Sequence, residues 1–468
     1  MPCTTKNNQQ GAASVHPTEA FPHPSQPGLL SGIEESRPYR PVQYLGSKLR
    51  SLPALANALP QDLSTGGHVL DAFSGSSVVS QFFADRGCSV TATDSLTFCS
   101  ILASATLGIG RNEATHSYNE LYDLAVGSIE QYGPRSLFSD WLAEEQRLLQ
   151  RKEASALADL HSRLPQAWRP ELADADLRVH LHSLSERAGE QAGSNDSVLS
   201  AFYAGTYFSL DQTLTVDAIR DRVEHLRTNG RISMWEYCAL LTALLTCIST
   251  AAFTPGKHFA QFHNLRGDKN TDFHLRRLIA DRSIDLHACF LTSLKSVYER
   301  PTPRTNHNAH AVTVSDYLQS FPEKLAFDLI YADPPYTGQQ YSRFYHIPET
   351  LVTMVIPNLQ LGTSGLTRGL YPTDRYKSPF CSVRQAPSAF RTLLHSCSLR
   401  APTLALSYSA TSPTSRNRRS VDLDYLVDLA REFYHHVDVQ RLGHRYRRFN
   451  STSSDPATAD GEYLLIAS

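Results

Sequence analysis

Leu329-Ile330-Tyr331-Ala332-Asp333-Pro334-Pro335-Tyr336 is the stretch around which the chain is organised. The mostly apolar run from Leu325 to Tyr331 reads as a buried strand that ends in an acid, two prolines and an aromatic ring. Neither proline offers a backbone N–H and both have a fixed φ, so the strand stops and the turn after it is stiff. A carboxylate, a proline carbonyl and an aromatic face are thereby held at a strand's carboxyl end, where ligands bind in open α/β sheets. The set suits a flat, weakly nucleophilic amine. Asp333 and the Pro334 carbonyl accept its two hydrogens, Pro335 stiffens the turn, and Tyr336 stacks on the ring. A bare Pro-Pro dipeptide would mark only an edge strand and a turn; the acid before it and the tyrosine after it say more.

A second unit lies upstream. Val69-Leu70-Asp71-Ala72-Phe73-Ser74-Gly75-Ser76-Ser77-Val78-Val79 reads as a strand, a tight turn of small residues and a helix. Small residues let a ligand approach the backbone, and the helix start offers free N–H groups. Ser77 and Ser80 stand where a dinucleotide signature would have its second and third glycines. Asp71 ends this strand and is placed to accept from a ligand's ammonium. The next strand, Ser89 to Thr93, ends at Asp94. An acid at that tip, about twenty residues after the first, is placed to take both ribose hydroxyls; its alternative is a helix cap.

Before this unit, Tyr44-Leu45-Gly46-Ser47-Lys48 precedes a helical pattern at Leu49, Leu52, Leu55 and Leu59. It reads as a loop over a cofactor, with Tyr44 packing on it and Lys48 meeting an anionic group. An ordinary turn with a solvated lysine is the alternative. A third strand is expected within Ala309 to Leu318, its tip offering Asp316 to an adenine amino group and Tyr317 to the ring face, unless Asp316 caps a short helix over a core Tyr317. A later strand, Pro402 to Tyr408, and a pair at Val437 to Gly443 and Tyr463 to Ala467 complete the sheet, the pair as a closing hairpin.

Length allows two to four domains in the 468 residues. Residues 1–36, rich in Pro, Ser, Gln and Gly, read as a disordered tail. Between 111 and 308 the patterns turn helical: Leu137 to Leu160, Val198 to Phe208, Val216 to Leu226, Trp235 to Ala252 and Leu275 to His287. So long a block exceeds one crossover of a parallel sheet and reads as an inserted, mainly helical domain dividing residues 37–110 from 309–468. The expected fold class is therefore α/β with a large helical insertion. Met234 to Phe253 is the one long apolar run; Glu236 and several Ser/Thr residues make it a buried helix and not a membrane span.

Charge is nearly balanced, 44 basic residues against 46 acidic, so a surface for nucleic acid must be local. Candidates are Lys257, Lys269, Arg276, Arg277 and Arg282 near the end of the helical block, and Arg416, Arg418 and Arg419 after the Pro402–Tyr408 strand. A solvated helix face or a basic turn would look the same. Eight cysteines without a Cys-x-x-Cys pair argue against a zinc site and a secreted disulfide framework. No metal is expected, and a reducing cytoplasm is the simpler home.

Together these residues resemble the Dam-like, alpha-group adenine-specific DNA methyltransferases. Tyr44 to Lys48 resembles that group's N-terminal cofactor motif, and Asp71 to Ser77 its Asp-x-Phe-x-Gly-x-Gly motif, with Phe73 and Gly75 in place and Ser77 in place of the last glycine. Asp94 is similar to its ribose-binding acid, and Asp333 to Tyr336 match its Asp-Pro-Pro-Tyr motif intact. These segments cover roughly a quarter of the chain, and only the last is specific by itself. The resemblance implies a Rossmann-like methyltransferase sheet, S-adenosylmethionine as cofactor, and transfer of its methyl group to the exocyclic amine of a flipped adenine. It implies double-stranded DNA as partner, a cognate restriction endonuclease as a further candidate, and target recognition by the helical block. Rival readings are an amino methyltransferase for RNA adenine or DNA cytosine, a nucleotide-dependent oxidoreductase, and a non-catalytic DNA-binding protein. The oxidoreductase would have no use for residues 333–336.

Overall fold

The computed structural model describes residues 38–59, 66–127, 129–263, 272–301, 306–320, 327–363, 365–410, 419–445 and 461–468. The tail expected over residues 1–36 lies outside them, as do Lys269, Arg416 and Arg418.

Alternation along the strands builds the sheet. In β1 (His68–Asp71) and β4 (Leu329–Ala332), Val69, Leu329 and Tyr331 point to one core while Leu70 and Ile330 point to the other. β7 (Thr403–Ala410) and β9 (Gly461–Ala467) continue both faces, with Ala405 and Leu464 on the first and Leu404, Leu406 and Leu465 on the second. Strands buried on both sides need helices on both sides. The helices Leu52–Ala58 and Val78–Asp85 cover the first face; Val314–Gln319, Ala386–Ser398 and Leu423–Arg431 cover the second.

With β2 (Ser89–Asp94), β3 (Asn308–Ala311) and β8 (Val437–Arg445), the strand order is β3-β2-β1-β4-β7-β9-β8. All neighbouring pairs from β3 to β7 are parallel, and β9 runs antiparallel between β7 and β8. β5 (Leu361–Gly362) and β6 (Gly365–Leu366) form a separate two-stranded ribbon. The chain leaves β1 toward β2 and β3, then returns to β4 on the other side of β1. The order reverses between β1 and β4, and a crevice opens at their carboxyl ends. In the β1–β4 register Asp71 lies opposite Tyr331, two residues before Asp333. The mostly parallel sheet with helices on both faces is an α/β fold of the methyltransferase-like kind.

Between β2 and β3 the described residues are mainly helical, but the expected runs Leu137 to Leu160 and Leu275 to His287 each span a break between two helices and Val198 to Phe208 stops at Tyr203; Thr97–Thr106, Tyr118–Val126 and Ala175–Glu186 are additional. Several helices start on reciprocal caps, among them Ser117/Glu120, Ser209/Gln212 and Ser233/Glu236. Met234–Ala251 is the long apolar helix and is buried along most of its length. It shares one core with Phe98, Cys99 and Leu102 of helix Thr97–Thr106 and with Tyr345, Ile347 and Leu351 behind Asp333.

One expected strand is cut short. β3 stops at Ala311, and Thr313 caps helix Val314–Gln319 by accepting from the Asp316 N–H (3.2 Å) while its hydroxyl donates to the Asp316 carboxylate (2.7 Å). Such local side-chain bonding gives the backbone an alternative to the ladder.

Arg300 closes the helical block onto the sheet layer. Its buried guanidinium donates to the Thr106 carbonyl (2.8 Å) and to both oxygens of Asp85 (2.9 and 3.1 Å). Arg300→Ala is expected to destabilise the protein by about 2–3 kcal/mol, because a helix-end carbonyl loses a donor and the largely buried pair with Asp85 is broken. Urea unfolding at neutral pH measures this.

Candidate active site

β4 runs straight into the site: Ala332 is its last residue and Asp333 the next. The Asp333 carboxylate is 2.9 Å from Lys48 Nζ, and the same ammonium lies 2.6 Å from Glu462 on β9. Lys48 opens the short helical turn Lys48–Arg50 and is buried. The Ser407 hydroxyl donates to one Glu462 oxygen and the Ser51 hydroxyl to the other, both at 3.2 Å. Burial opposes the charge on Lys48, yet the two carboxylates hold its pKa well above the ordinary lysine range. Burial pushes Asp333 up to about 6 against the pull of Lys48. Lys48 therefore does meet an anionic group, but the group belongs to the protein.

Tyr408 and Arg419 pack against Tyr336. The Tyr336 ring meets Tyr408 edge-on at 5.5 Å, and the Arg419 guanidinium lies 4.9 Å from its centroid. Arg419 is buried and donates to the Ser409 carbonyl (2.6 Å) and hydroxyl (2.7 Å). The residue read as a basic loop contact is a strut behind the tyrosine, because its donors are used inside the fold.

A cavity of about 210 Å³ opens beside Asp333 and Pro335. Tyr44, Phe73, Asp94 and Phe380 also line it, Phe73 and Phe380 meeting edge-on at 5.4 Å. The walls are largely aromatic and apolar, with carboxylates at Asp94 and Asp333. Asp94 accepts from the Gly75 N–H and the Leu96 N–H, both at 3.0 Å, and burial pushes it up to about 6. Asp71 lies just before the lining residues Ala72 and Phe73. It is buried, and Ser80 donates to one oxygen at 2.6 Å while the other has no hydrogen-bond partner. Burial pushes Asp71 up to about 7 against that hydroxyl. A buried acid with an unused acceptor suits a cationic group.

The turn after β1 explains its small residues. Gly75 has φ +48°, and a Cβ there would sit 2.8 Å from the Tyr44 ring. Ser77 takes φ +58°, a left-handed conformation that costs a non-glycine residue roughly 1 kcal/mol. Its hydroxyl bonds Thr106 Oγ1 (2.8 Å) and accepts from the Gln81 amide (3.1 Å), offsetting that cost. Tyr44 itself stacks on Tyr345 at 4.7 Å, and the Leu45 N–H donates to the Tyr345 hydroxyl at 2.6 Å. The segment after Asp333 thus clamps the N-terminal loop.

Other expected contacts lie elsewhere. Asp316 is exposed and does not line the cavity; Thr313 holds its carboxylate, although it lies near enough to the lining residue Tyr376 to affect its phenol. Tyr317 is buried, meets His310 at 5.0 Å and is not among the residues lining the cavity. Lys257 donates to the carbonyls of Thr250 and Ala252 (2.8 Å each) and pairs with Asp281 (3.1 Å), so it caps helix Met234–Ala251. Arg277 pairs with Asp281 at 2.9 Å, and Arg282 is buried with a bond to the Thr206 carbonyl. Arg276 is exposed. Pro334 is buried behind the tip.

Two acids escaped the sequence reading. Glu462 is one; its only local signal is a charge in the otherwise mostly apolar strand Gly461–Ala467. Glu349, on helix His346–Thr353, is the other. It accepts from the Thr97 N–H (2.9 Å) and the Phe98 N–H (3.1 Å), fixing the turn after Asp94. Among the described residues no cluster of His, Cys, Asp and Glu could hold a metal ion.

No family model matches the chain. It is similar to the type II methyltransferase M.FokI of Planomicrobium okeanokoites, 22% identical over 373 residues, 79% of this chain and 44% of that protein. It is similar to the modification methylase StsI of Streptococcus sanguinis, 21% identical over 413 residues, 88% of this chain and 49% of that protein. The type II methyltransferase M.CviAII of Paramecium bursaria Chlorella virus 1 is 24% identical over 211 residues, 45% of this chain and 53% of that protein. The chain spans about half the length of these curated relatives. It is a distant relative of type II methyltransferases and modification methylases.

Proposed function

We propose that this chain is a DNA adenine-N6 methyltransferase that uses S-adenosylmethionine and works in the cytoplasm. The observation that carries the reading is the Asp333–Pro334–Pro335–Tyr336 tip, set at the sheet's switch point beside a cavity lined by Asp94 and Asp333. Its distant relatives are methylases by name, which supports the reaction class.

When bound, S-adenosylmethionine supplies an electrophilic methyl group on a sulfonium. Asp71 has the spare acceptor for its ammonium, Asp94 would take the ribose hydroxyls, and Phe73 lies in the cavity wall. This chain's part is then to present the amine. Adenine's exocyclic nitrogen is a poor nucleophile because its lone pair is delocalised into the ring. Hydrogen bonds from the amine to Asp333 and to the Pro334 carbonyl localise that pair and aim it; positioning and polarisation of this kind supply several kcal/mol. Asp333 also takes the proton that the methylated nitrogen must lose, directly or through water. The target base must leave the duplex, and stacking on Tyr336 offsets part of the unstacking cost. Double-stranded DNA is the proposed partner, the helical residues 111–308 the proposed target-recognition region, and a restriction endonuclease a companion to seek.

Mass spectrometry of DNA from a methylation-free host expressing the chain tests the reading. N6-methyladenine in duplex DNA is expected, whereas methylcytosine alone or methylated RNA alone would overturn it. Asp333→Ala should slow transfer by at least about a hundredfold with the fold intact; wild-type turnover would remove Asp333 from its role. The acceptor is the ionised carboxylate, present above its pKa of about 6. The kcat/KM for methyl transfer is therefore expected to fall as pH drops through about 6, which a pH–rate profile checks. Asp94→Ala should weaken S-adenosylmethionine binding roughly tenfold or more by calorimetry, and unchanged affinity would count against the ribose contact.

A further inference from the structure

We infer that Glu462, on the last strand, is a positioning residue for Asp333 and acts through Lys48; the inference rests on reading Asp333 as the amine acceptor. Glu462 is buried on β9 opposite Ser409. Lys48 and Ser51 of one N-terminal turn and Ser407 of β7 fix its two oxygens. Lys48 then reaches Asp333 at 2.9 Å, but lies closer to Glu462, at 2.6 Å.

Lys48 and Asp333 alone would already make a neutral pair. The second carboxylate adds negative charge where burying charge is costly, and an apolar residue there would be cheaper. Its effect is to divide the ammonium between two acids. With Glu462 present, Asp333 is held in place by Lys48 without becoming its sole counter-ion. Without Glu462 the ammonium belongs to Asp333 alone, lowers its basicity and competes with the incoming amine for its lone pairs.

Several titratable groups surround this pair. Asp333 feels Lys48 and Glu462, with the Ser407 hydroxyl, which donates to Glu462, close by; Asp71 on β1 and Tyr331 on β4 lie within range of its charge. Lys48 also feels Tyr336 and Tyr331, and Tyr331 feels Glu462. Burial and Glu462 push Asp333 up while Lys48 pulls it down, in keeping with the divided ammonium.

The experiment is a carboxyl-carbon NMR titration of the full chain labelled at aspartate, with the Asp333 signal assigned by Asp333→Asn. In Glu462→Gln the Asp333 midpoint should fall by about one unit. Glu462→Asp keeps the charge and should restore most of the wild-type value. An unmoved midpoint in folded Glu462→Gln, or an equal fall in Glu462→Asp, overturns the inference. The acid limb of methyl transfer should move to lower pH with the midpoint. If the midpoint moves and no adenine is methylated, the coupling stands and the proposed function falls. If adenine is methylated and neither midpoint nor limb moves, the reverse holds.

Discussion

One buried ammonium ties the molecule together. Lys48 comes from the turn after the N-terminal loop, Asp333 from the tip of β4 and Glu462 from the last strand. Each of these positions is more than a hundred residues from the others in sequence, and the shared charge brings them to one point. Breaking a buried pair strands a charge in a poor dielectric, so each member enforces the placement of the others. The sheet supplies the frame for this contact. β4 must end where β9 passes, and β9 reaches that place because it runs antiparallel beside β7.

The crevice has its own requirement, which is close approach of backbone to backbone. Gly75 leaves room for Tyr44, and Ser77 bears a strained conformation because its hydroxyl has partners on both sides. A serine in place of a glycine therefore keeps the turn, at a conformational cost that two hydrogen bonds offset. Tyr44 is in turn stacked on Tyr345, downstream of the acidic tip. The turn after β1, the N-terminal loop and the segment after the acidic tip are thus built into one wall.

What could be read from the sequence follows from how local the signals are. The strand–turn–helix at Asp71 and the tip at Asp333 are contiguous, and their periodicity and proline chemistry act over a few residues. Most helices of the central block, the closing hairpin and the burial of Met234–Ala251 were legible for the same reason. Glu462 was not, because its partners at positions 48, 51, 333 and 407 are distant in sequence. Arg419 and Lys257 misled for a related reason. Composition shows a basic residue, whereas only the fold shows that its donors are already used, on Ser409 and on helix-end carbonyls. Asp316 was decided by a bond to Thr313 three residues away, a contest between cap and strand that the residues left open.

Glu349 links the site to the helical block. It sits on the helix that follows the acidic tip and caps the helix that follows Asp94. Both helices contribute to the core built around Met234–Ala251. The loop that positions Asp94 and the loop that positions Asp333 therefore rest on the same packed helices. Packed interiors shift as units and do not deform continuously. The proposed recognition region and the proposed chemistry therefore share one packed support.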